Sequence, residues 1–211
     1  MSKVTVVDYG LGNLKSVSQA LKALGAEPRV TSDPESLDRA ERIILPGVGA
    51  FRVAMEALHS QALSDAILAA AKKGTPILGI CLGMQLLFDS SSEFGYTDGL
   101  GLIPGKVSPI VSSPARSPAV RSTHIGWRTL DITPAGYSVR NFGGLRADTS
   151  YYFVHSYGAN PLHESDLYAS VTYGDQNVCA AAGKENVQGV QFHPEKSAKA
   201  GLRVLESFFV L

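Results

Sequence analysis

Cys81 sits in Gly79-Ile80-Cys81-Leu82-Gly83, after an apolar run (Pro76-Ile77-Leu78) and before a helix-like one (Met84 to Phe88). A glycine two residues to either side allows a sharp strand-to-helix turn that lifts the side chain out of a sheet. That is the logic of a nucleophile elbow, with sulfur in place of a serine oxygen. At a helix N-terminus the sulfur meets the positive end of the dipole, which favours the thiolate, the reactive form. Alone, the pattern also describes a buried strand-end cysteine packed as a small hydrophobe.

A thiol nucleophile needs a base, and the base needs a carboxylate to orient it. Gln191-Phe192-His193-Pro194-Glu195 offers both. Residues i and i+2 project to the same side of an extended chain, so Glu195 can hold His193. Alone, this segment also reads as a surface turn. A third segment, Pro46-Gly47-Val48-Gly49, follows an apolar run. Its glycines let backbone N–H groups come close to a substrate, and with the Leu82 amide they form a candidate oxyanion hole.

Bringing these segments together requires a sheet, and the first hundred residues read as one. Residues 4–8 are a short buried strand. Asn13 can cap a helix with the apolar stripe Leu14, Val17, Leu21 and Leu24, and Gly25 stands where that helix would stop. Residues 42–45 form a second strand, helices follow over about 53–58 and 62–73, and 76–80 is the strand entering the elbow. This alternation predicts βαβ crossovers, a parallel sheet and helices on both faces. The loop at 46–49 then lies at the carboxyl end of the sheet, where ligands bind in open α/β folds. From about 101 to 190 the signals are short strands, at 105–111, 125–132, 151–155, 168–173, 178–182 and 187–192. An exposed Ser/Pro/Arg loop separates the first two, and a final helix over 197–211 turns Leu202, Leu205, Phe208 and Phe209 inward. One domain spanning 1–211 is the expected count.

Composition narrows the class. Nineteen basic and nineteen acidic residues cancel, so no global field draws the chain to nucleic acid or a membrane. The N-terminal residues read as a first strand, not a signal peptide. Two cysteines far apart, Cys81 and Cys179, give no disulfide framework, and a cytoplasmic location is expected. No His/Cys/Asp/Glu spacing points to a metal, and no cofactor is expected. Gly10 and Gly12 lack the third glycine and acidic ribose partner of a dinucleotide fingerprint. Cys179 reads as core, His59 and His163 as exposed, and His124 as structural.

Gly79-Ile-Cys-Leu-Gly-Met-Gln85 with His193-Pro-Glu195 resembles the signature of the class I (triad-type) glutamine amidotransferases. Asp8-Tyr-Gly-Leu-Gly-Asn13, Pro46-Gly-Val-Gly49, Leu102-Ile-Pro-Gly105, His124-Ile-Gly-Trp127 and Tyr152-Phe-Val-His-Ser-Tyr157 are similar to one branch of that family. That branch is the glutaminase subunit of imidazole glycerol phosphate synthase, in histidine biosynthesis. The resemblance implies a flavodoxin-like α/β fold: a central, mostly parallel sheet flanked by helices, with an added β-rich portion in the second half. It implies Cys81 as nucleophile, His193 as general acid and base, and Glu195 as the residue orienting His193. It implies Val48, Gly49 and Leu82 around the oxyanion, and Gln85, Glu93, Ser156 and Tyr157 around the glutamine substrate. Asn13, Tyr152 and Lys196 match positions facing the partner, a (βα)8-barrel cyclase subunit in a heterodimer. The chain departs from the usual pattern at Arg128, where Asn is commoner, and in a longer loop over 112–121.

Two other readings stay open on sequence. The same chemistry serves anthranilate, guanylate and pyridoxal phosphate synthesis, although Val48 and the 152–157 segment argue against those. A catalytically silent regulatory relative is the other, against which the intact Cys81, His193 and Glu195 argue.

Overall fold

The computed structural model describes residues 2–110, 122–139 and 144–209. The long loop expected over 112–121 lies outside them. The first half alternates strand and helix: β1 (Lys3–Val7), α1 (Leu14–Ala23), β2 (Glu27–Thr31), α2 (Pro34–Asp38), β3 (Ile43–Gly47), α3 (Phe51–Ser60), α4 (Leu63–Lys72), β4 (Ile77–Cys81) and α5 (Leu82–Leu86). The second half is strand-rich: β5 (Phe88–Ser91), β6 (Thr97–Asp98), β7 (Ile103–Pro109), β8 (His124–Thr129), β9 (Asp131–Ile132), α6 (Pro134–Ser138), β10 (Ser150–His155), β11 (Tyr157–Pro161), β12 (Leu167–Tyr173), β13 (Gln176–Lys184), β14 (Val187–Val190) and α7 (Ala198–Phe209).

Eight strands form the main sheet in the order β2-β1-β3-β4-β14-β13-β12-β9. The five from β2 to β14 run parallel, and the remaining three extend the sheet antiparallel. Two smaller sheets, β11-β7-β5-β6 and β10-β8, pack beside it.

Side chains alternate across the parallel strands, as the pleat requires. Val4, Val6, Ile44, Leu78 and Ile80 face one core with Val17 and Leu21 of α1 and Val204, Leu205 and Phe208 of α7. Val7, Ile43, Leu45 and Ile77 face the other with Phe51, Met55 and Leu58 of α3 and Leu63 and Ile67 of α4. The expected parallel sheet with helices on both faces is therefore present. No helix among the described residues is long and apolar enough to cross a membrane.

Several boundaries differ from the sequence reading. The strand read over 125–132 breaks at Leu130 into β8 and β9. The helix read over 53–58 runs from Phe51 to Ser60. β2 and α2 were not read at all. β2 is an edge strand whose residues are mostly exposed, so no apolar period marks it. α2 has the start signal Asp33-Pro34-Glu35, with the Asp33 side chain accepting from the Glu35 amide, but it is five residues long.

Candidate active site

Two neighbouring strands bring the chemistry together. β4 and β14 pair in parallel with Ile80 opposite Val190, so their carboxyl ends deliver Cys81 and His193 to one place. Cys81 takes φ +56° and ψ −112°, a region that side-chain-bearing residues rarely occupy. The sharp turn is thus made by the cysteine itself. Gly79 and Gly83 do not have positive φ. They are needed for closeness instead: a Cβ on Gly79 would lie 2.7 Å from the backbone of Met84, and one on Gly83 would overlap the Leu45 carbonyl.

His193 is buried and hydrogen-bonds Glu195 through Nδ1 at 2.9 Å. Glu195 lies in a 3-10 turn (Pro194–Lys196), so the expected extended pair is corrected to a strand end running into a tight turn. Ser197 stiffens this corner, accepting from the Tyr152 amide and donating to the His193 carbonyl. The other ring nitrogen of His193 is left for the Cys81 sulfur. Burial opposes a charge on His193, but hydrogen bonds to Cys81 and Glu195, and their Coulombic attraction, outweigh it and push the imidazole up to about 10.

A raised value has a signed consequence for stability. The contribution of His193 is complete below its unfolded value of about 6.5 and is lost as pH climbs through about 10. Urea midpoints of the wild type should therefore fall across that window more steeply than those of His193→Gln. Parallel pH profiles would show that the imidazolium is not held as described.

A cavity of about 300 Å³ opens over Cys81 and His193, and Val48, Gly49, Leu82, Gln85, Glu93, Ser156 and Tyr157 all line it. That is the small end of ligand-pocket sizes, suited to an amino acid. The Glu93 carboxylate accepts from the Phe51 amide at 2.6 Å, at the positive end of α3. Gln85 donates to the Tyr157 carbonyl at 2.9 Å and to Gln191 at 2.8 Å, which leaves its own oxygen for a ligand. Ser156 pairs with Thr123 at 2.8 Å. Leu82 opens α5, so its amide is among the free N-terminal donors. The Val48 amide, by contrast, donates to the Leu11 carbonyl at 3.4 Å.

Asn13 stands at the N-cap of α1 without capping it by its side chain. Its amide donates to Glu195 Oε1 at 3.1 Å instead. Tyr152 contacts Trp127 edge-on, and Lys196 is exposed beside Glu195. Cys179 and His124 are buried and His59 and His163 exposed, as read. Burial pushes the Cys179 thiol up to about 12, so it stays protonated.

Four residues of the site were missed, one of them Val154, which lines the cavity with its carbonyl oxygen 4.0 Å from the Cys81 sulfur. Gln191 donates to the Cys81 sulfur at 3.7 Å; pairing β14 with β4 one residue past Val190 would have found it. His155 lines the cavity. Tyr9 donates to the Pro46 carbonyl at 2.9 Å and fixes the base of the 46–49 loop, a contact that no local pattern announces.

The family described as "Glutamine amidotransferase class-I" matches residues 5–211. A protein of Microcystis aeruginosa named imidazole glycerol phosphate synthase subunit HisH is 42% identical over 99% of this chain and 95% of its own. One of the same name from Bacillus licheniformis is 45% identical over 97% of this chain and 94% of its own. Among solved structures, PurLQS from Thermotoga maritima superposes with a TM-score of 0.73 at 20% identity, over 99% of this chain and 98% of that one. The glutaminase domain of Trypanosoma brucei CTPS superposes at 0.66 and 17% identity, over 99% and 91%. The last two share the fold.

Proposed function

The chain belongs to the class I glutamine amidotransferase family, and from that premise we propose that it is the glutaminase subunit of an imidazole glycerol phosphate synthase. The observation that carries this is the convergence of Cys81, His193 and Glu195 beneath one amino-acid-sized cavity. The branch rests on relatives 42% and 45% identical over nearly the whole chain. Residues 1–211 act as one glutamine amidotransferase domain.

The Cys81 thiolate attacks the side-chain amide carbon of glutamine. His193, protonated in the resting site, gives its proton to the departing nitrogen, which leaves as ammonia. A γ-glutamyl thioester remains on Cys81. Water then adds to its carbonyl carbon, yields a proton to His193, and glutamate departs. Glu195 holds the imidazole with Nδ1 turned away from the reaction. Gln85, Glu93, Ser156 and Tyr157 hold the glutamine.

Ammonia set free in bulk water would be protonated and lose its nucleophilicity. It must pass under cover to a second site, which is the physical reason for a docked partner. That partner is the (βα)8-barrel cyclase, in a heterodimer, docked over the face carrying Asn13, Tyr152 and Lys196. It uses the ammonia to form imidazole glycerol phosphate and an aminoimidazole carboxamide ribotide.

The oxyanion hole is half-assembled in the chain alone, since the Val48 amide is spent on Leu11. At 3.4 Å that bond is long and weak. The peptide to be turned follows Gly47, a residue that tolerates the new angles. Docking of the loaded cyclase turns this amide toward the cavity. One oxyanion donor is worth about 10²–10³ in rate, so ammonia release from glutamine should rise by about that factor when cyclase and its nucleotide are added. Equal rates with and without them would overturn the switch, and no release under either condition would overturn the function.

A further inference from the structure

A continuous run of buried side chains outside the three catalytic candidates ends on the Cys81 sulfur. Gln191 Nε2 lies 3.7 Å from Sγ, and Gln191 Oε1 lies 2.8 Å from Gln85 Nε2. Gln85 Nε2 is also 2.9 Å from the Tyr157 carbonyl oxygen, which lies 2.8 Å from His155 Nδ1. His155 Nε2 in turn lies 3.0 Å from His124 Nδ1. All four side chains are buried.

One atom sets the direction of every bond in the run. The Tyr157 carbonyl can only accept. His155 therefore carries a proton on Nδ1. Burial keeps both imidazoles neutral, pulling His155 down to about 3 and His124, with help from the Arg128 charge, to about 4. A neutral His155 has a bare Nε2, so His124 donates from Nδ1. His124 Nε2, buried without a partner among the described residues, is the unprotonated end. On the other branch, Gln85 must turn its NH₂ group to Tyr157, and the same nitrogen reaches Gln191. Gln191 is left with its oxygen toward Gln85 and its NH₂ toward sulfur. The reverse flip would set two NH₂ groups against each other and an oxygen against the thiolate.

We propose that Gln191 is a catalytic residue whose amide N–H holds the charge on the Cys81 sulfur, and that Gln85, His155 and His124 are positioning residues that fix which way that amide faces. The inference rests on the glutaminase reading above. A donor binds sulfur most strongly when the sulfur is fully charged. In acylation the thiolate gives its electron pair to the new C–S bond, so the donor does not speed that step. In deacylation water adds to the thioester carbon and its proton passes to His193. The tetrahedral carbon then breaks its C–S bond, the pair returns to sulfur, and glutamate is released. Gln191 stabilises that returning charge.

Gln191→Met keeps similar bulk and removes the N–H. With the cyclase and its nucleotide present, deacylation should slow about tenfold, the lower end of what a hydrogen bond to a charged group contributes. The γ-glutamyl adduct, read by intact mass after rapid quenching, should accumulate beyond the wild type, while kcat/KM stays close to the wild-type value. A variant with less adduct and a lower kcat/KM has merely lost the placement of its sulfur, and that result overturns the proposal, as does an unchanged adduct. Should the variant fail to fold, the wild-type chain carries a second test. The Gln191 side-chain amide signals in a ¹⁵N–¹H spectrum should move when iodoacetamide alkylates Cys81, and unmoved signals would overturn the contact. A wild type that releases no glutamate would sink the glutaminase reading, and the spectrum would still decide the contact.

Discussion

Cys81→Ala lowers glutamine turnover by about 10⁴-fold or more, the scale set by removal of a nucleophile in other covalent hydrolases. Cys81→Gly does the same and leaves a more stable protein than Cys81→Ala. The difference follows from φ +56° and ψ −112° at this residue. Such a conformation costs a side-chain-bearing residue about 1–3 kcal/mol and glycine almost none. Glycine gives back about 0.5–1 kcal/mol through the freer unfolded chain. The difference of those ranges is about 0–2.5 kcal/mol, centred near 1 kcal/mol, or roughly 2–4 °C in melting temperature at that centre for a chain of this size. Melting curves of the two inactive variants decide the matter. Equal curves would mean that the elbow stores no strain, and its geometry would then need another explanation. The strain is tolerated because β4 and α5 hold the residue from both sides, and it presents the sulfur to the cavity.

The alternation of apolar runs and helix stripes made the parallel half of the sheet legible, because strands buried on both faces leave a continuous apolar signal. The edge strand β2 leaves none. Within the site, the residue types at Cys81, His193 and Glu195 were readable, but the reasons differed. The glycines of the elbow looked like conformational hinges and are contact glycines. Glu195 looked like an i+2 neighbour on an extended chain and occupies a 3-10 turn. Asn13 looked like a helix cap and spends its amide on Glu195 across 182 positions of sequence. Contacts of that kind, including Tyr9 on Pro46 and Gln191 on Cys81, depend on which strands are neighbours. Strand order is not written in local periodicity.

Gly83→Ala should cost about 3 kcal/mol or more, because its Cβ would overlap backbone that has no free rotamer to yield. The methyl would fall on the Leu45 carbonyl oxygen, with its carbon only 2.8 Å away and the Pro46 carbonyl carbon at 3.3 Å. β3 and α5 would have to separate, and β3 runs straight into the loop carrying Val48. A loss of that size lowers the melting temperature by roughly 6–12 °C. Activity should fall as well, since widening the gap moves the Leu82 amide away from Val48 and Gly49. Gly74→Ala is the informative control: its Cβ would meet nothing within 4 Å, but its φ is +87°, so any loss there is conformational. It lies between α4 and the amino end of β4, opposite the end that carries Cys81, and should cost stability while leaving turnover of the folded fraction intact. If Gly83→Ala melted like the wild type and turned over glutamine normally, the close approach of α5 to β3 would not be what seats the elbow.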